Sequence, residues 1–297
     1  MRVTTKMMLS DASSLLNKNL EQLKRLQTEA ASGKKLQRIS DDPYATEQAL
    51  SFRSALALSK GNLRSIDLSE NWMEATDAAL GQLSDLVTHA YTIAEQGAND
   101  TISDSEREGL AQNIDELLQQ VLQLANTRHR GQYIFAGFQT DQPPFVLSAG
   151  PPPAATYQGD NGEIKRQVAP DYKMTVNVTN GGPFPAAFQA LSDLVTELRD
   201  TSPGAGQRVA NRLTELESAA DGVLASRASI GAKLDRLQDT SNRLEQVQIG
   251  LETLLSKAED ADMAETIMNL AQQEMAYRTA LQVNGRVLQP SLLDFLT

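Results

Sequence analysis

The side chains able to do chemistry are few, and none stands beside the partner it would need. The 297 residues hold two histidines, His89 and His129, too far apart in sequence for a local metal-ligand pair. Asp41-Asp42 and Asp260/Asp262 come nearest to a carboxylate pair or a cation site. Each precedes a helix start, however, where an acid accepts the free N–H groups of the first turn, and capping accounts for it. Cysteine is absent, which removes disulfides, thiolate metal sites and cysteine nucleophiles together. Neither a G-x-G-x-x-G nor a G-x-x-x-x-G-K-[ST] string occurs, so no phosphate cradle is expected. Met7, Met8, Met263, Met268 and Met275 gather near the two ends, either as core filling or as an adaptable protein-contact surface. These residues predict no enzyme, no cofactor and no metal.

Composition narrows the class further. Aromatic residues make up 5% and apolar residues 40%, mostly Leu, Ala, Val and Met, a set suited to thin helical seams. A net charge of −11 argues against non-specific nucleic-acid or anionic-membrane binding, which needs basic surface. No apolar stretch approaches the ~18–20 residues of a membrane span. The polar start, MRVTTKMMLSDASSLLNKNL, lacks the unbroken apolar segment of a secretory signal, so no cleaved signal is expected.

The elements that would position any site are helices of matched length. Segment 1–42 holds an amphipathic run over 5–32 with Leu9, Leu16 and Leu23 every seven residues, flanked by Leu20 and Leu26, and stopped by Gly33. Asp42 as N-cap and Pro43 as first helical residue open a long helix over 43–96, and Ser103 with Glu106 opens another as a capping box. Together these fill 43–131. Segment 132–182 changes period: it is rich in aromatics, Gly and Pro, with strands expected at 163–169 and 173–179 and a hairpin signal at Asn161-Gly162. Segment 183–258 resumes the helices; Ser202-Pro203 reads as a cap, and Ile230, Leu237, Leu244, Leu251 and Leu254 as a heptad seam. In 259–297, Asp262 and Glu265 form a capping box, Met268, Met275, Leu281 and Leu288 continue a stripe, and Leu292, Leu293 and Phe295 form an apolar tail.

Runs of about 40 Å at the two ends, with runs of about 80 Å inside them, predict a chain that goes out, turns and returns, pairing its ends. Charge agrees: residues 1–40 carry a net +5 and residues 259–297 a net −4. The fold class is mainly α, a long antiparallel bundle with paired terminal helices and a small inserted β-rich domain.

Several strings carry a resemblance across nearly the whole chain. EQLKRLQTEAASGKKLQRISDDPYAT is similar to the N-terminal arm of bacterial flagellins and flagellar hook-associated proteins, and EDADMAETIMNLAQQEMAYRTALQVNGRVLQPSLLDFL resembles the matching C-terminal arm. RGQYIFAGFQTDQPPF looks more like the family of flagellar hook-associated protein 3, which joins hook to filament, than like flagellin. The resemblance implies a structural subunit that assembles with itself as a ring. It implies contact with hook-associated protein 1 on one side and flagellin on the other, with an export chaperone at the C-terminal arm. It also implies type III flagellar export and an extracellular place in the flagellum, which suits the missing cysteine. A short flagellin is the rival within this class. A coiled-coil tethering protein would lack the β insert, and an enzyme has no nucleophile, base or metal to offer. The arms, thin and screened by salt, are expected to order only on assembly.

Overall fold

The computed structural model describes residues 5–148 and 154–287. Its helices are α1 (Thr5–Ser32), α2 (Pro43–Gly97), α3 (Asp104–Ala125), α4 (Phe184–Arg199), α5 (Ala205–Glu259) and α6 (Met263–Val287). They group into two compact units, Met1–Ala57 with Val247–Thr297, and Leu58–Gln246. The division falls inside α2 and α5, so each of these 55-residue helices contributes to both.

The helix ends follow local chemistry. Gly33 terminates α1 at φ +68°, its N–H donating to the Glu29 carbonyl at 2.8 Å. Asp42 caps α2 by accepting from the Ala45 N–H at 3.0 Å, with Pro43 at the first helical position. Ser103 and Glu106 form a reciprocal capping box on α3. Asp262 caps α6 through the Ala264 and Glu265 N–H groups. The expected return bond from the Glu265 side chain is not formed; Glu265 is exposed. Ser202-Pro203 does not open α5 either. Gly204 at φ +81° adds a turn after it, and the helix starts at Ala205.

In the Leu58–Gln246 unit the core is a set of seven-residue stripes. α2 contributes Ile66, Met73, Leu80 and Val87, and α5 contributes Val209, Leu216, Val223, Ile230, Leu237 and Leu244. α3 adds Ile114, Leu118 and Val121, and α4 adds Leu191, Leu194 and Leu198. Gly97 lets the end of α2 approach α4 closely, since a Cβ there would stand 2.5 Å from Leu198. Leu254 is a correction to the expected seam: it is 46% exposed, and Leu251 is only half-buried. Leu254 lies about 80–100° round the helix from Leu244 and Leu237, so it turns out of the stripe they define.

Hydroxyls also occupy the seam. Ser69, Thr76 and Thr240 are buried, and each donates to the carbonyl four residues back on its own helix (Ser65, Trp72 and Arg236, at 2.6–2.8 Å). Within this unit the polar links between α2 and α5 include Asp77–Arg227 at 3.0 Å and Tyr91 donating to Glu217 at 3.2 Å.

The inserted module is three separate antiparallel pairs rather than one sheet: β1 (Arg128–His129) with β2 (Gln132–Tyr133), β3 (Phe145–Leu147) with β4 (Ala155–Tyr157), and β5 (Lys165–Ala169) with β6 (Tyr172–Thr175). The first pair turns through Arg130 and Gly131, both at positive φ, the geometry of a mirror-image hairpin turn. Asn161-Gly162 is not a hairpin turn. The Asp160 carboxylate accepts from the N–H groups of Phe138 and Gly162, and Asn177 bonds Gly162 and Ile164, so the adjacent Asp160 and the more distant Asn177 hold that bend. The hairpin reverses instead at Pro170-Asp171, between Ala169 and Tyr172. Phe145 packs against Tyr157, Phe184 and Phe188 with ring centroids 5.1–5.9 Å apart, which roots the module in α4.

Candidate assembly surface on the paired arms

The Met1–Ala57 and Val247–Thr297 unit holds the arms. α1 and α6 pack on each other, and Gln273 Nε2 donating to Asn19 while Thr266 reaches Glu29 shows that they run antiparallel. The shielded positions of α1 include Ala12, Leu16, Asn19, Leu23, Leu26 and Ala30, and those of α6 include Thr266, Leu270, Gln273, Tyr277, Ala280 and Asn284, with Leu20, Glu29 and Glu274 half-buried beside them. Both sets alternate steps of four and three, the seam of an antiparallel coiled coil.

Leu16 and Leu23 thus lie on the pairing face, while Leu20 turns partly aside toward a groove it shares with Lys24, Arg25 and Arg38. Met268, Met275 and Leu281 do not pair with α1. They are 67%, 64% and 46% exposed, on the outward side of α6. α6 carries apolar residues on two faces, so residue type alone could not choose the register, whereas α1 presents a seven-residue stripe through Leu16 and Leu23. The side chain of Leu9, and Leu288, Leu292, Leu293 and Phe295, lie outside the described residues.

A buried carboxylate that the sequence did not single out ties this unit together. Glu259 is 2% exposed; Lys34 Nζ lies 2.8 Å from one of its oxygens and Arg53 Nε 2.7 Å from the other. The backbone joins in: the Lys35 N–H donates to the Glu259 carbonyl at 2.7 Å, and the Ala261 N–H to that of Gly33 at 2.9 Å. Burial pushes the Glu259 carboxyl up, but the hydrogen bonds and charges of Lys34 and Arg53 outweigh it and hold the group below the usual glutamate range. One signal was available in the sequence. An acid at the C-terminal end of a helix opposes the macrodipole and needs a cation from elsewhere.

The catalytic candidates find no such setting. His89 is exposed on α2, and His129 meets the edge of Trp72 at 6.1 Å. Asp41 is a turn acid, held below its ordinary pKa first by the Arg38 N–H. No group of three His, Asp or Glu among the described residues could hold a metal ion, and none of their helices is long and apolar enough to cross a membrane.

Residues 3–140 match the bacterial flagellin N-terminal helical region, and residues 213–296 match the bacterial flagellin C-terminal helical region. The chain belongs to the bacterial flagellin family. This flagellin-family chain is 24% identical to flagellar hook-associated protein 3 of Salmonella typhimurium, over 97% of its own length and 98% of that protein. It is 22% identical to flagellin of Listeria innocua, over 100% of its own length and 99% of that protein. The structure of the flagellar junction protein of Legionella pneumophila covers 72% of this chain and 100% of its own, with TM-score 0.57 and 15% identity, which shows a shared fold. The family is structural and non-enzymatic.

The seam between α1 and α6 is narrow, and its α6 side is half polar, with Thr266, Gln273 and Asn284 at core positions. Ordering each residue costs on the order of 1–2 kcal/mol, which so thin a contact offsets poorly. In the isolated chain, amides of α1 and α6 should exchange much faster than those of Ile230–Leu244. Equal protection by hydrogen exchange would show that the arms hold together unaided.

Proposed function

We propose that this flagellin-family chain is the structural subunit that joins the flagellar hook to the filament. The string RGQYIFAGFQTDQPPF, from Arg130 to Phe145, carries this reading, since its likeness is to hook-associated protein 3. Near-full-length similarity to that protein in Salmonella typhimurium supports it. So does the small size of the inserted module, whose three hairpins span little more than β1 to β6.

In this reading the subunit assembles with itself as a ring, with hook-associated protein 1 on the hook side and flagellin on the filament side. An export chaperone holds the C-terminal arm before type III secretion. The outward residues of the arms, Met268, Met275 and Leu281 among them, then meet neighbouring subunits, and the flagellum is the chain's extracellular location. The mechanism is packing: one subunit type presents faces that fit two different lattices.

Electron microscopy of cells lacking the chain is the test. Hooks without filaments, with flagellin released into the medium, are expected; intact filaments would refute the junction role. A short flagellin is the second reading, favoured by the full-length likeness to the Listeria innocua protein. It predicts that the purified chain alone grows long filaments.

A further inference from the structure

Two surfaces of the Leu58–Gln246 unit have opposite charge, lie on opposite flanks and stand at one level. The first is a groove of about 890 Å³ between β6 and α5, lined by Lys173, Ser226, Ser229, Lys233 and Arg236. Among the described residues β6 has a strand neighbour only on its β5 side. Arg236 stacks over the Tyr172 ring at 4.2 Å, and among the described residues neither it nor Lys173 or Lys233 forms an ion pair. Glu163 at the groove edge is engaged by Lys165 at 2.8 Å and also feels the charge of Lys233, though not within ion-pair distance. A basic groove stands out on a chain of net charge −11.

The second surface is on α2. Asp67, Glu70 and Glu74 follow at steps of three and four, so they share one face. None of them has a cation within ion-pair distance among the described residues, whereas Asp77 below them is taken by Arg227. Glu70 has one carboxylate oxygen buried without a hydrogen-bond partner. Burial, and then the charges of Asp67 and Glu74, push the Glu70 carboxyl above its usual range.

The helical period fixes the directions. Trp72, buried against His129 of the module, points about 140–160° away from the three acids, so they face away from the module. On α5, Arg227 reaches toward the acidic flank, and Arg236 on the groove side is about 180° from it. The Asp77–Arg227 and Tyr91–Glu217 links show that α2 and α5 are antiparallel. Counting from the first link at equal rise, Asp67, Glu70 and Glu74 stand level with the stretch of α5 that holds Lys233 and Arg236.

We infer that the basic groove between β6 and α5 receives the acidic face of α2 from a second copy of this chain. The contact is head-to-tail, with different faces meeting, and because its two halves are level it adds copies side by side, as a closing ring requires. Exposed pairs of this kind set orientation and register more than affinity. The inference builds on the junction reading by naming how one copy meets the next.

The missing cysteine gives a direct test. Glu70→Cys and Lys233→Cys, combined in one chain and expressed in cells, should let a short bis-maleimide link copies in isolated hook–filament structures. A ladder of oligomers on a denaturing gel is expected, absent from either single variant. Immunogold labelling of the same structures separates the two ideas. Monomer alone, with label at the hook–filament boundary, overturns this contact and leaves the junction role standing. A ladder with label along the whole filament keeps the contact and removes the junction role. Charge exchange tests it without cysteine. Lys233→Glu with Arg236→Glu should leave at least about tenfold fewer filamented cells, and adding Glu70→Lys with Glu74→Lys should restore them. Failure of that restoration, with all chains folded by circular dichroism, also counts against the contact.

Discussion

Leu237→Asp should lower the melting temperature of the purified chain by at least about 10 °C, and Leu254→Asp should change it by no more than a couple of degrees. Leu237 is fully buried in the seven-residue stripe of α5, whereas Leu254 is largely exposed on the same helix. Truncating a buried leucine costs roughly 2–5 kcal/mol, and a carboxylate at that position adds the cost of burying a charge without a partner. In a unit of this size each kcal/mol moves the melting temperature by about 2–4 °C. Far-ultraviolet circular dichroism, followed at the helical minimum, reads both variants. If they melt together, α5 does not bury the face described above.

The second large effect concerns Glu259. Replacing both Lys34 and Arg53 by Met should leave its carboxylate buried without a cation, at a cost of about 3–5 kcal/mol. Converted at about 1.4 kcal/mol per tenfold, the Lys35 and Ala261 amides should lose on the order of 10²–10³ in hydrogen-exchange protection. Those two amides close the contact between the segment after α1 and the end of α5. pH gives a second handle with a definite sign. Because the folded Glu259 pKa lies below its ordinary value of 4.5, its contribution is complete above the unfolded pKa and is lost as pH falls through the folded one. Acidification of the wild-type chain below the usual glutamate range should therefore release the same two amides. Protection unchanged in the double variant at neutral pH would show that the backbone links alone suffice.

Much of the architecture was legible because local rules agreed with tertiary need. Gly33, Asp42-Pro43 and the Ser103–Glu106 box mark helix ends by chemistry within one turn, and Leu16 with Leu23 lie on the seven-residue stripe that α1 presents to α6. The misplacements share a different cause. α6 offers two apolar faces, so residue type alone puts Met268 and Met275 in a pairing that Leu270 and Tyr277 perform. Asn161-Gly162 has hairpin composition, but Asp160 and Asn177 recruit its backbone for a bend. Glu259 reads in sequence as part of a polar interruption. Its partners are 206 and 225 residues away, and no local window contains them. The family strings added what periodicity could not, the kind of machine to which such a fold belongs.

The hydroxyls of the α2–α5 seam bear on how the chain yields to force. Ser69, Thr76 and Thr240 are satisfied within their own helices, so sliding one helix along the other breaks no hydrogen bond of theirs. What opposes shear is apolar packing, which re-forms at a new offset, together with links such as Asp77–Arg227 that solvent can serve while they are open. Each helix meanwhile keeps its own backbone bonds and remains stiff along its axis. Within the Leu58–Gln246 unit such a pair is compliant in shear and stiff in extension, a combination that would suit the junction role proposed above.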